Sequence, residues 1–177
     1  THNNLDFTND VLSMHDAGFD ILSLEPVVLK DSPYAITEED LPRIYAEYDR
    51  LVDAYMERRR AGRGFWFFHF NMDLSNGPCV AKRLSGCGAG HEYFAVAENG
   101  DLYPCHQFVG RDGYRLGSLR EGVTRPELSQ YFRESHVLNK EKCRDCWARF
   151  FCSGGCHANA DLFHGDIREP YEIGCAI

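Results

Sequence analysis

Cys143, Cys146, Cys152 and Cys156 form the run C-x2-C-x5-C-x3-C, four thiols within fourteen residues. No hydrophobic core needs cysteine at that density. A metal or iron–sulfur site does, because several soft thiolates must gather around it. The chain has eight cysteines, the others being Cys79, Cys87, Cys105 and Cys175. Eight is twice four, and four thiolates complete one cubane cluster or one tetrahedral metal. Disulfides are the alternative. Against them, C-x2-C pairs with clustered partners read as ligands, and the sequence carries no secretory signal.

The chain opens at Thr1 with no basic n-region and no apolar h-region, which suits a cytoplasmic setting. No apolar run reaches the ~18 residues of a membrane span. Net charge is −8, and the densest basic stretch is Arg58-Arg59-Arg60, read as the solvated end of a helix. Nucleic acid is therefore a poor partner, since phosphate contacts need a positive surface. A length of 177 residues allows one ordinary domain or two small ones.

The first third reads as helix, strand, helix. Phe7, Val11, Leu12 and Met14 recur near helical spacing, and Gly18 suits the end of that helix. Residues 19–28 read as a buried strand carrying Ile21, Leu22, Leu24, Val27 and Val28, with Pro26 near its end. A long helix follows, capped by Thr37 or Asp40, with Pro42 favouring the later start. Leu41, Ile44, Tyr45, Tyr48, Leu51, Val52 and Tyr55 share one face of it, and the tyrosine stripe reads as core packing. The helix is expected to end by Gly62 or Gly64. This alternation suits a parallel α/β unit. One such segment cannot close a domain, so the chain is expected to be a fragment whose N-terminal part supplies the rest of a sheet or barrel. The aromatic run Phe65-Trp66-Phe67-Phe68-His69-Phe70 is read as another strand of it.

From Asn71 the composition turns to glycine and cysteine, and the elements shorten. Two domains are expected, 1–70 and 71–177. Residues 93–97 and 102–105 flank Asn99-Gly100, a hairpin signal that predicts a type I′ turn with φ > 0 at both positions. Pro126 opens a short helix carrying Leu128, Tyr131 and Phe132; another runs from Cys156 through Ala158, Ala160 and Leu162 to Gly165. The hairpin can bring Cys105 back towards Cys87. Three cysteines at x2 and x5 can wrap one cluster, while Cys156, beyond the Ser153-Gly154-Gly155 turn, can point elsewhere. In two-cluster ferredoxins the last cysteine of such a run ligates the other cluster.

The pattern C-x12-G-x4-C, C-x2-C-x5-C-x3-C and a distal cysteine resembles the SPASM domain, a C-terminal extension of radical S-adenosylmethionine peptide-modifying enzymes that carries auxiliary 4Fe-4S clusters. The flanking sequence is similar to one subgroup. Gly77-Pro78-Cys79-Val80, residues 82–90 (KRLSGCGAG), residues 102–110 (LYPCHQFVG) and residues 143–148 (CRDCWA) resemble maturases of six-cysteine (SCIFF) peptides, which form thioether links. The resemblance extends upstream over residues 19–28. It implies an α/β fragment, the C-terminal strand–helix part of a partial TIM-like barrel, followed by a small irregular α+β SPASM domain with a β-hairpin and two 4Fe-4S sites.

By this resemblance, cluster I is held by Cys87, Cys105 and Cys156, with Cys79 as fourth ligand. Cluster II is held by Cys143, Cys146, Cys152 and Cys175. If Cys79 does not bind, cluster I has an open iron that a substrate thiolate can take. The radical-generating C-x3-C-x2-C motif is absent from these 177 residues. Its cluster and S-adenosylmethionine are assigned mainly to the missing N-terminal part, so this stretch alone is expected to be inactive. The implied partners are a cysteine-rich precursor peptide and an electron donor such as flavodoxin or ferredoxin.

His106, directly after Cys105, stands where sulfatase-maturing relatives have a catalytic Asp; it is a candidate base or donor to cluster sulfur, or a polar residue packed beside a cluster. Glu25, at the C-terminal end of the barrel-like strand, is a candidate contact for S-adenosylmethionine or peptide, or an ordinary strand-end carboxylate. His157 and His164 read as helix-surface residues. Two other functions fit the same thiols: sulfatase-type oxidation by another SPASM enzyme, and a double zinc-binding interaction module.

Overall fold

The computed structural model describes every residue except 74 and 81–83. Lys82 and Arg83 of the SCIFF-like segment therefore lie outside the described residues. The chain forms two compact units: Thr1–Gly77 with Glu172–Ile177, and Pro78–Tyr171. Among the described residues, no helix is long and apolar enough to cross a membrane.

The first unit is a βαβ crossover preceded by a helix. Helix α1 (Phe7–Asp16) ends where Gly18 takes φ 98° and donates to the His15 carbonyl. Strand β1 is Ile21–Leu22, far shorter than the expected 19–28. It pairs in parallel with β2 (Trp66–Phe67), Ile21 opposite Trp66 and Leu22 opposite Phe67. The aromatic run thus supplies β1 with its partner, and only two of its residues are strand. Pro26, which has no N–H for a ladder, limits any extension of β1 past Glu25.

Helix α2 (Leu41–Arg60) is the crossover. Thr37 and Asp40 form a capping box, whereas Asp40 as the N-cap of α2 makes no side-chain capping bond. The Asp40 carboxylate accepts from the Thr37 N–H at 2.9 Å, within a 3-10 turn over Glu38–Asp40 that leads into α2. Ile44, Leu51 and Tyr55 face the core with Leu5, Phe7, Val11, Leu22, Phe65 and Phe67. The tyrosine stripe splits by position: Tyr55 is buried, Tyr48 is half-buried, and Tyr45 is exposed, as is Val52. Helix α7 (Glu172–Ala176) belongs to this unit.

The second unit is built on an antiparallel meander, β3 (Ala95–Val96), β4 (Asp101–Tyr103), β5 (Gly117–Ser118) and β6 (Gly122–Val123), hydrogen-bonded in that order. The β3–β4 hairpin stands where Asn99-Gly100 predicts it, but its turn differs. Gly100 has φ 86°, whereas Asn99 is not in the left-handed region. The Gly100 N–H donates to the Ala97 carbonyl, and the Asn99 side chain accepts from the Asp101 N–H at 3.0 Å. This is a turn on residues 97–100 closed by one left-handed glycine, not type I′. Helices α3 (Pro126–Glu134), α4 (Glu141–Arg144), α5 (Arg149–Cys152) and α6 (His157–His164) follow. Phe108, Leu116, Phe132, Val137 and Ile167 are fully buried in this unit, with Phe132 edge-on to both Phe108 and His157.

Candidate metal centre

Six cysteines of the second unit lie in or beside short elements and turns, where the backbone can fan thiols around a volume. Cys105 precedes a 3-10 turn over His106–Phe108. The Phe108 N–H donates to the Cys105 carbonyl at 3.0 Å. The loop after Cys87 is stitched to the residue before Cys105, because the Gly90 N–H donates to the Pro104 carbonyl at 3.1 Å. Gly86, just before Cys87, lies against the turn that precedes Cys156: a Cβ there would sit 3.7 Å from the Ser153 carbonyl. These approaches bring Cys87, Cys105 and Cys156 into one neighbourhood. Burial, together with the charges of Cys156 and Cys87, pushes the Cys105 thiol above its ordinary value.

A second trio forms around Cys143, which is buried on α4. Its N–H donates to the Lys140 carbonyl, and the Cys146 N–H donates to the Cys143 carbonyl. Cys152 closes α5. Burial, then the charges of Cys152 and Cys146, raise the Cys143 thiol, while the Lys140 charge opposes them. The trios are separated by Ser153, Gly154 and Gly155, with φ of 61°, 89° and 70°. Three successive left-handed residues reverse the chain, so Cys152 and Cys156 fall to different trios although only these three residues lie between them.

The remaining two cysteines are exposed, Cys79 in the second unit and Cys175 on α7 in the first. None of the eight is in a disulfide. Among the described residues, no three Cys, His, Asp or Glu side chains are close enough to hold one metal ion. The electrostatic grouping and this spread differ because charges interact well beyond bonding distance. Each trio shares a neighbourhood rather than a point. Tetrahedral zinc draws its sulfurs to about 2.3 Å from a single ion. A cubane gives each thiolate its own iron and so suits thiols set around a volume. The donor set, thiols alone set around a volume, fits an iron–sulfur group.

Residues 87–147 match the SPASM family model, an iron-sulfur cluster-binding domain. The matched SPASM stretch lies within the second unit and contains Cys87, Cys105, Cys143 and Cys146. The chain is also 30% identical over 133 residues to an uncharacterized protein of Archaeoglobus fulgidus, an alignment covering 70% of this chain and 32% of that one. Among solved structures, a hexahistidine-tagged anSMEcpe with bound AdoMet superposes with TM-score 0.69 at 20% identity, covering 99% of this chain and 48% of that one. Native anSMEcpe with bound AdoMet and Cp18Cys peptide gives TM-score 0.59 at 23% identity, over 91% and 47%. The fold is thus that of anSMEcpe, and the chain spans about half of its length and about a third of the archaeal relative's.

His106 is exposed, beside the Gln107 side chain. Glu25 is exposed in the first unit; the Ser23 hydroxyl donates to it at 2.7 Å, and His69 Nε2 stands 3.7 Å away. His157 is a correction: it is buried at 5% exposure, not on the helix surface. Burial, then the Lys140 charge, lowers its pKa to about 4, so it is neutral and packs as an aromatic. Sequence reasoning missed Lys140, which is buried at 1% exposure. It also missed Asp161, buried and held by both Arg111 and Tyr114. Neither belongs to a spacing motif, so only packing reveals them.

Proposed function

We propose that this chain is the auxiliary-cluster portion of a radical S-adenosylmethionine enzyme that installs thioether cross-links in a cysteine-rich ribosomal peptide. The observation that carries the metal part is the sorting of six thiols into two trios, Cys87/Cys105/Cys156 and Cys143/Cys146/Cys152. Cys79 is proposed as the fourth ligand of the first set and Cys175 of the second. When bound, the two 4Fe-4S clusters supply electron acceptors and a soft site for a peptide thiolate. The chain's own part is to hold the thiols apart in two sets and to exclude water from Cys105 and Cys143. Glu25 and His106 are proposed to contact substrate. The first unit is proposed as the end of a partial barrel whose remainder carries the C-x3-C-x2-C motif and S-adenosylmethionine. A precursor peptide and a flavodoxin- or ferredoxin-type donor are the proposed partners, and the setting is proposed to be cytoplasmic.

The thioether chemistry rests on the SCIFF-like sequence around Cys79, Cys87, Cys105 and Cys143. The test incubates the full-length protein anaerobically with S-adenosylmethionine, a reductant and a six-cysteine peptide. The expected product has lost two hydrogen atoms per cross-link and resists thiol alkylation at the linked cysteines. Oxidation of a serine or cysteine to an aldehyde, with no carbon–sulfur bond, would favour sulfatase-type chemistry instead.

A further inference from the structure

Lys140 is buried at 1% exposure, and its ammonium donates to the Gly154 carbonyl at 2.8 Å. Gly154 is the middle of the three left-handed residues that part the trios. The lysine stem packs on it: a Cβ at Gly154 would meet Lys140 Cδ and Nζ at 3.6 Å. Lys140 also accepts, through its carbonyl, the N–H of Cys143. One side chain therefore touches the turn between the trios while its backbone anchors a thiol of the second.

Its charge is felt by the groups around it. After the Arg168 N–H, which acts first, it is among the influences holding the Asp166 carboxyl low. A cubane held by thiolates is anionic, and each electron it accepts adds negative charge. A fixed cation beside it favours the reduced form, since cluster potentials follow local charge and hydrogen bonding.

Resting on the iron–sulfur reading above, we propose that Lys140 is a positioning residue that pins the Ser153–Gly155 turn between the two thiol sets and, as a buried counter-charge, raises the reduction potential of the iron–sulfur group at Cys143, Cys146 and Cys152.

The test compares anaerobically reconstituted wild type with Lys140→Arg, Lys140→Gln and Lys140→Met. Iron is counted first. The clusters are then titrated with dithionite as one-electron donor, followed by electron paramagnetic resonance. Lys140→Arg should keep the wild-type potential. Lys140→Gln retains a donor for the Gly154 carbonyl but no charge. It should hold full iron, and its reduction equilibrium constant should fall about tenfold, about 59 mV for a one-electron couple. Lys140→Met should show at least that shift or lose iron. A Gln variant with full iron and wild-type potential would overturn the counter-charge role. Iron loss in all three variants with a loaded wild type would overturn it too, leaving Lys140 a folding residue. Wild type that binds no iron would instead bring down the iron–sulfur reading itself.

Discussion

At the scale of single residues, His157 gives a pH prediction with a definite sign. Its folded pKa is depressed from 6.5 to about 4. Between those values the unfolded chain binds the extra proton and the folded chain does not. The stability contribution is therefore full above the unfolded value and is lost as pH falls through the folded one. The expected loss is about 2 kcal/mol between pH 7 and pH 5. Urea unfolding at both pH values checks it, and His157→Gln should flatten that part of the profile. Gly154 gives a second prediction. Its φ of 89° and the Val137 Cγ1 atom 3.3 Å from where a Cβ would lie make Gly154→Ala strained. The expected cost is about 1–3 kcal/mol, with lowered iron retention, read from melts and iron content. The residue types of this site are legible in sequence and their surroundings are not. Cysteine spacing marks the candidate thiols, whereas the burial of Lys140 and His157 depends on chain segments far apart in sequence.

At the scale of elements, periodicity and caps identify α1, α2, α3 and α6 to within a few residues. Each has an apolar stripe or a marked start or stop: Pro126 opens α3, and Gly165 at φ 72° closes α6. Strands are less legible. Residues 19–28 contain enough apolar side chains for a long buried strand, yet only Ile21–Leu22 pairs. Hydrophobic content marks burial; ladder length depends on what lies alongside. The Asn99-Gly100 signal locates its hairpin correctly and misnames its turn, because Asn99 bonds Asp101 through its side chain instead of turning left-handed. Gly117 tests the meander. Its φ is 156°, and a Cβ there would fall 2.0 Å from the Gly122 carbonyl oxygen, across the β5–β6 pair. Gly117→Ala should destabilise the second unit by about 1–3 kcal/mol or more, because backbone must move. Chemical denaturation should show the drop, and a wild-type midpoint would contradict the strand register.

At the scale of the whole molecule, the chain pairs a βαβ unit having its own apolar core with a second unit of short elements that buries Phe108, Leu116, Phe132, Val137 and Ile167. The second unit should gain much of its stability from what the thiols bind, as small metal domains do. Cys146→Ala and Cys152→Ala should each lower iron content and weaken that unit's cooperative melt, whereas Cys105→Ala should deplete the other cluster. The central claim is that two sets of thiolates hold two cubane clusters. Iron and acid-labile sulfide counted on protein reconstituted without oxygen test it most directly. The expected result is about eight of each per chain, four per cubane, in brown protein. Two zinc ions and no sulfide, in colourless protein, would contradict it.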